Sequence, residues 1–296
     1  MIAGNLEIRH DCFTEVVGSR VEVETVASGF EFLEGPAWHP SYQFLVFSDL
    51  LGNCMYRWSQ SEGITLFRKP SNMANGNTYD REVRLLTCEH ATSRVTRAEH
   101  NGNSVILASH YNGKELNSPN DIVVKHDGTI YFTDPNSGRG PKYGIERPQE
   151  LPFQGIFKLD PNNTSLILVA EDFSKPNGLC FSLDEKQIFI NDTDRNHIRV
   201  FDINADGTLA NGRVWAEIRG TGLGVPDGMK IDKEGHLYCC GPGGIHVFDR
   251  NGNALGVILL PEQTANLAWG DEDLCSLYVT AATVLFRIRL NIPGLI

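Results

Sequence analysis

A short hairpin that opens on a polar residue recurs six times along this chain, and the recurrence restricts the possible folds more than any other feature. Its best-formed copy is Ser118-Pro119-Asn120-Asp121-Ile122-Val123-Val124, then Lys125-His126-Asp127-Gly128, then Thr129-Ile130-Tyr131-Phe132-Thr133-Asp134. An Asp-Gly pair between two β-branched or aromatic runs is a strong hairpin signal, because the turn needs residues that tolerate positive φ. Lys175-Pro176-Asn177-Gly178 and Val225-Pro226-Asp227-Gly228 open equivalent units. Aligned on the polar residue ahead of the first strand, the six markers are Glu34, Asn75, Asn120, Asn177, Asp227 and Asn266. They are spaced by 41, 45, 57, 50 and 39 residues, and each interval holds four short strands, the content of a propeller blade.

No window carries a sustained 3.6-residue apolar period, so helix should be scarce. The expected fold is all-β: a six-bladed β-propeller forming a single domain over residues 1–296. Apolar strands precede the later markers at 64–67, 104–107, 166–169, 213–216 and 256–259. The matching strand before Glu34 is 21–26, while 284–289 supplies the last blade's third strand. The N-terminal strand should therefore complete the last blade and remove its open edges. The longest interval owes its excess to residues 137–154, rich in Gly, Pro and charge, which read as a lid over the face carrying the markers.

Composition excludes several functions. A net charge of −11 argues against nucleic acid and anionic membranes as partners, since both call for basic patches. No apolar run approaches the roughly 20 residues of a membrane span, and residues 1–19 lack the apolar core of a secretion signal. Seven scattered cysteines without Cys-x-x-Cys or Cys/His clustering read as small buried hydrophobes in a reducing compartment, most simply the cytoplasm. Oligomeric state is not readable from the sequence.

In a propeller the first strand of every blade lines the central channel, so the six markers converge on the axis. Two carboxylates and four amides at a channel mouth describe a site for a hard divalent cation: two charges balance the ion, and amide oxygens complete the shell. Each marker alone is equally well explained as a loop cap. The second strands return to the same face and end in Asp49, Glu89-His90, Asp134 and Asp192, some of which should serve loops structurally. His90, titrating near neutrality, is a candidate proton shuttle or substrate contact. The run Asp192-Thr193-Asp194-Arg195-Asn196 lacks an EF-hand's glycine, and no Gly-x-Ser-x-Gly elbow is present.

Several of these segments, in order, resemble the gluconolactonase/regucalcin family. They are Leu33-Glu34-Gly35-Pro36, Leu116-Asn117-Ser118-Pro119-Asn120-Asp121, Lys175-Pro176-Asn177-Gly178-Leu179 and Val225-Pro226-Asp227-Gly228-Met229. Leu85-Leu86-Thr87-Cys88-Glu89-His90 and Arg94-Val95-Thr96-Arg97 are similar to its bacterial gluconolactonase branch. The resemblance implies a metal-dependent lactonase acting on a sugar lactone. Its one divalent ion (Ca²⁺, Mg²⁺, Mn²⁺ or Fe²⁺, with zinc disfavoured) would be held by Glu34, Asn177 and Asp227. The diisopropyl-fluorophosphatase pattern adds Asn120, otherwise a substrate contact with Asn75 and His90. The animal branch places an arginine where this chain has Ser118, so those substrate contacts do not transfer. Asp227 is the expected base, with His90 or a lid residue protonating the leaving alkoxide. Hydrolysis of non-sugar lactones or organophosphate esters, and a non-enzymatic calcium-binding scaffold, are the competing expectations.

Overall fold

In the computed structural model, which describes residues 2–160 and 163–295, six four-stranded antiparallel sheets are arranged around a central channel. Blade 1 runs through Leu33–Trp38, Leu45–Asp49, Cys54–Ser59 and Gly63–Arg68, from the channel outward. Blade 2 is built from Ala74–Tyr79, Leu85–Glu89, Arg94–Ala98 and Ser104–Ala108, and blade 3 from Ile122–Val124, Ile130–Asp134, Gly155–Asp160 and Asn163–Ala170. Blade 4 comprises Pro176–Phe181, Gln187–Asp192, His197–Ile203 and Leu209–Glu217, and blade 5 Met229–Ile231, Leu237–Gly241, Gly244–Phe248 and Ala254–Leu259. Each inner strand packs against the inner strands of both neighbours, so the circle closes.

Blade 6 consists of Thr264–Gly270, Ser276–Ala281 and Val284–Arg289, with Val21–Ser28 as its outer strand. Val23 pairs with Ile288, and the N-terminal strand completes the last blade as expected. The structure adds a further strand, Ile2–Ile8, that the sequence did not announce. It pairs with both Ala254–Leu259 and Val21–Ser28, joining the outer edges of blades 5 and 6 into one nine-stranded sheet. The adjoining five-residue helix Phe13–Val17 inserts a fully buried Phe13 between those blades. Truncating a phenyl ring in such a position costs about 3–5 kcal/mol. Among the described residues the only other helix is the single turn Ser137–Arg139.

Two sequence features shape the channel mouth. The ladder between inner and second strands breaks register at the marker in blades 1, 2, 4 and 6. In blades 3 and 5 the regular pairing begins only after the marker, although Asn120 N–H still donates to Thr133 O and Asp227 N–H to Cys240 O. Such bulges re-aim one side chain out of the sheet's alternation. Second, four markers are followed by glycine, and each glycine lies against the next marker's backbone or side chain. A Cβ on Gly35, whose φ is +45°, would stand 1.9 Å from Asn75 O; one on Gly178 would stand 2.2 Å from Asp227 O. Gly76 N–H donates to Asn120 O at 2.8 Å across the same kind of seam. The glycines let neighbouring markers approach closely enough to share one space.

Candidate active site

That space is a cavity of about 320 Å³ at the channel mouth, and its walls include Glu34, Asn75, His90, Asn120, Asn177 and Asp227. The marker of blade 6 departs from expectation. Asn266 does not line the cavity: its side-chain oxygen accepts Leu267 N–H at 2.8 Å, and Gln263 of the same blade lines the cavity instead. The expected six-membered ring is thus five markers on the cavity wall, with the sixth off it.

Hydrogen bonds decide which atoms face the cavity. Asn177 Nδ2 donates to Thr193 Oγ1 at 3.3 Å, and that hydroxyl donates to Pro226 O at 2.7 Å. Asn191 Nδ2 donates to Asp227 O and fixes the loop that carries the carboxylate. Asn75 Nδ2 meets His90 Nε2 at 3.0 Å, while His90 Nδ1 meets Tyr143 O at 2.8 Å. A carbonyl only accepts, so Nδ1 carries the hydrogen and Nε2 accepts from Asn75. Burial pushes the His90 imidazole down to about 4, and the Arg147 guanidinium also disfavours its charged form. The ring is neutral, with both nitrogens engaged.

Asn75 Oδ1, Asn177 Oδ1 and Asp227 Oδ1 are left buried without a hydrogen-bond partner. A buried acceptor left unpaired costs about 1–3 kcal/mol, so three around one cavity call for a ligand that supplies hydrogen-bond donors or positive charge. The carboxylates agree. Burial pushes Glu34 up to about 8 despite a hydrogen bond from Gly35 N–H, with Asp121 adding to the rise. Asp227 is raised well above the carboxylate range by burial, then by the Glu34 and Asp121 carboxylates. Two buried acids that disfavour each other's charge, flanked by bare amide oxygens, form an oxygen-only donor set suited to a hard divalent cation. Among the described residues no three His, Cys, Asp or Glu side chains form a metal-holding group, so a cation held here would need amide oxygens beside the two acids.

The carboxylates that end the second strands are used differently. Asp49 accepts N–H groups of Phe32 at 2.9 Å, Glu31 at 3.2 Å and Gly52 at 3.3 Å. Asp192 accepts those of Ser174 at 2.8 Å and Lys175 at 3.1 Å. Asp134 accepts Asn117 N–H at 2.8 Å with one oxygen while the other is left without a partner, and burial pushes its carboxyl up to about 7. Each pins a loop beside the cavity.

Residues 137–154 form one side of the cavity through Ser137, Lys142 and Tyr143. The segment is tied down from below: Arg139 donates to Asn117 O at 2.8 Å, to Pro148 O at 3.0 Å and to Leu116 O. Arg147 donates to His90 O at 3.0 Å. Ser118 is fully buried beneath the segment, donating to Pro135 O and accepting Gly138 N–H at 2.9 Å, which leaves no room for an arginine there. Phe32, Thr193, Gln263 and Lys175 also line the cavity and were not singled out from the sequence. Thr193 directly follows the second-strand end Asn191-Asp192, so extending the repeat alignment by one residue finds it; Phe32 and Lys175 each stand two residues before a marker, a position the alignment also marks, and Gln263 carries no repeat signal. All seven cysteines are free thiols, and no helix among the described residues is long and apolar enough to cross a membrane.

Comparison with known proteins matches residues 32–283 to the SMP-30/Gluconolactonase/LRE-like region. The chain is 30% identical to a gluconolactonase of Zymomonas mobilis, over 92% of this chain and 82% of that one. A pentonolactonase of Haloferax volcanii is 26% identical over 84% of this chain and 81% of its own. The solved structure of a gluconolactonase from Xanthomonas campestris superimposes with a TM-score of 0.90 at 32% identity, covering 98% of this chain and 95% of that one.

Proposed function

Since this chain belongs to the SMP-30/gluconolactonase/LRE-like family and is a lactone hydrolase, we propose that it opens a sugar lactone to the free acid at a divalent cation held by Glu34, Asn177 and Asp227. Asn120 stands beside these as a fourth oxygen ligand or as a contact to substrate. The observation that carries this reading is the unpartnered, buried Asn177 Oδ1 and Asp227 Oδ1 beside the Glu34 carboxylate. Ca²⁺, Mg²⁺, Mn²⁺ and Fe²⁺ all suit an oxygen donor set, and zinc suits it less. Such an ion, when bound, polarises the lactone carbonyl and offsets the negative charge of the tetrahedral intermediate.

The chain's own residues do the rest. Asp227 Oδ1 takes the proton of the attacking water and returns it to the ring oxygen as the acyl C–O bond breaks, while Glu34, one oxygen of which is held by Gly35 N–H, remains a ligand. Asn75 Oδ1 accepts a sugar hydroxyl. His90 is a positioning residue here, because its lone pair fixes the Asn75 amide and its N–H is held by Tyr143 O. This positioning role is proposed in place of the expected proton shuttle or substrate contact, since the ring's single N–H is committed to Tyr143 O and its lone pair to the Asn75 amide. Residues 137–154 act as a lid, with the Tyr143 ring against Phe32 at 5.3 Å keeping bulk water from the carbonyl. Five of the seven thiols are buried, which suits a cytoplasmic protein.

Chelator-treated protein, resupplied separately with each divalent ion, should recover hydrolysis of glucono-1,5-lactone, followed by proton release above the spontaneous rate. A protein that retains one bound metal per chain yet accelerates no lactone with any ion contradicts the proposal.

A further inference from the structure

The site cavity opens outward into a second, shallower one of about 540 Å³, and the two share Ser137, Lys142, Tyr143 and Lys175. The charged side chains lining this vestibule are Arg139, Lys142, Arg147 and Lys175, with no carboxylate among its lining residues. In a chain of net charge −11 this is an unexpected place to gather four cations. Three of them have assigned partners. Arg139 lies 2.8 Å and Arg147 3.6 Å from one carboxylate, Glu115, so two positive charges face a single negative one. Lys175 lies 3.3 Å from Asp194. Lys142 forms no ion pair among the described residues; its ammonium sits 4.7 Å above the Tyr143 ring, at the boundary between the two cavities.

We infer that the lactone this enzyme is built for carries a second, anionic group, a carboxylate or phosphate remote from the lactone carbonyl, received by Lys142 in the cationic vestibule. The inference rests on the lactonase reading above and narrows its substrate class. The polarity of the site supports it: the carboxylates that serve the carbonyl end lie at the floor, and the cations lie at the rim. A neutral lactone fills the floor and leaves Lys142 without a counter-charge, whereas an anionic substituent gives it one. Its perch on the Tyr143 face limits the freedom the lysine loses on engaging the anion.

The test compares kcat/KM for a neutral lactone (glucono-1,5-lactone), a carboxylate-bearing one (glucaro-1,4-lactone) and a phosphate-bearing one (6-phosphoglucono-1,5-lactone) in the metal-replete enzyme and its Lys142→Gln and Lys142→Arg variants. The lactones differ in intrinsic reactivity, so the readout is the anionic-to-neutral ratio and its change on substitution. Lys142→Gln should lower that ratio about tenfold or more for at least one anionic lactone, the loss expected for one charge-assisted hydrogen bond. Lys142→Arg should largely keep it, and added salt should lower it in the wild type. Which anionic lactone responds identifies carboxylate or phosphate. A ratio unmoved by Lys142→Gln for both anionic lactones, with glucono-1,5-lactone still hydrolysed, overturns the inference and leaves the lactonase reading standing. Failure to hydrolyse any of the three removes both.

Discussion

Two sets of buried acids stand on the same face of this propeller and have opposite surroundings. Asp49 and Asp192, at the ends of second strands, accept backbone N–H groups of neighbouring loops. Glu34 and Asp227, at the start of inner strands, face each other and the bare amide oxygens, and their pKa values are driven upward. Residue type and burial do not separate the sets; partners do. An acid whose oxygens are satisfied by the chain holds the chain in place, while one left unsatisfied is available to a ligand.

The sharpest way to break this contrast is to neutralise one acid of the open set. Asp227→Asn should lower lactone hydrolysis by about 10²–10⁴-fold, the usual contribution of a general base. It should leave the metal-free fold no less stable, since it removes a repelled buried charge. Circular dichroism melts beside steady-state rates would check both halves. The reciprocal change, Asp49→Ala, strips acceptors from the Glu31, Phe32 and Gly52 N–H groups. It should cost about 3 kcal/mol in urea unfolding, with a far smaller loss of turnover per folded molecule.

Metal removal should act on the open set alone. Adding back a divalent ion at about a hundredfold over its dissociation constant should stabilise the wild type by about 2.7 kcal/mol. Asp227→Asn should show a much smaller gain and Asp49→Ala the same gain as wild type, read as shifts in melting temperature.

His90 gives the smallest effect and a defined sign. Its pKa in the folded protein, about 4, lies below the unfolded value of 6.5, so the unfolded chain takes up the proton first. Stability from this group is full above about pH 6.5 and is lost as pH falls toward 4, about 1.4 kcal/mol of it by pH 5.5. His90→Gln should flatten the stability profile between pH 7 and 5.5; an unchanged profile would mean that the ring titrates normally in the folded state.

Much of this is legible in the sequence, because a repeat converts one local pattern into a global position. The markers at 34, 75, 120, 177 and 227 follow from aligning the polar residue ahead of each hairpin, and they surround one cavity. The glycines after four of them were visible too, but their purpose depends on which backbone atom the next blade presents. Asn266 could not be separated from the others, since its oxygen is taken by the next residue's own N–H. Nor could the role of His90, whose tautomer is fixed by a carbonyl 53 residues away in the lid. The strand at 2–8 lies outside the repeat and left no periodic trace. What the sequence under-reports is the set of contacts made between segments distant in the chain.

The central claim, that the open acids and amides hold one divalent ion, is tested most directly by calorimetric titration of chelator-treated protein with Ca²⁺ and Mn²⁺, in the wild type and in Glu34→Gln and Asp227→Asn. One ion per wild-type chain, with binding lost or strongly weakened in both variants and retained in Asp49→Ala, is the predicted result. Absence of binding in the wild type, or equal binding in Glu34→Gln and Asp227→Asn, contradicts the account.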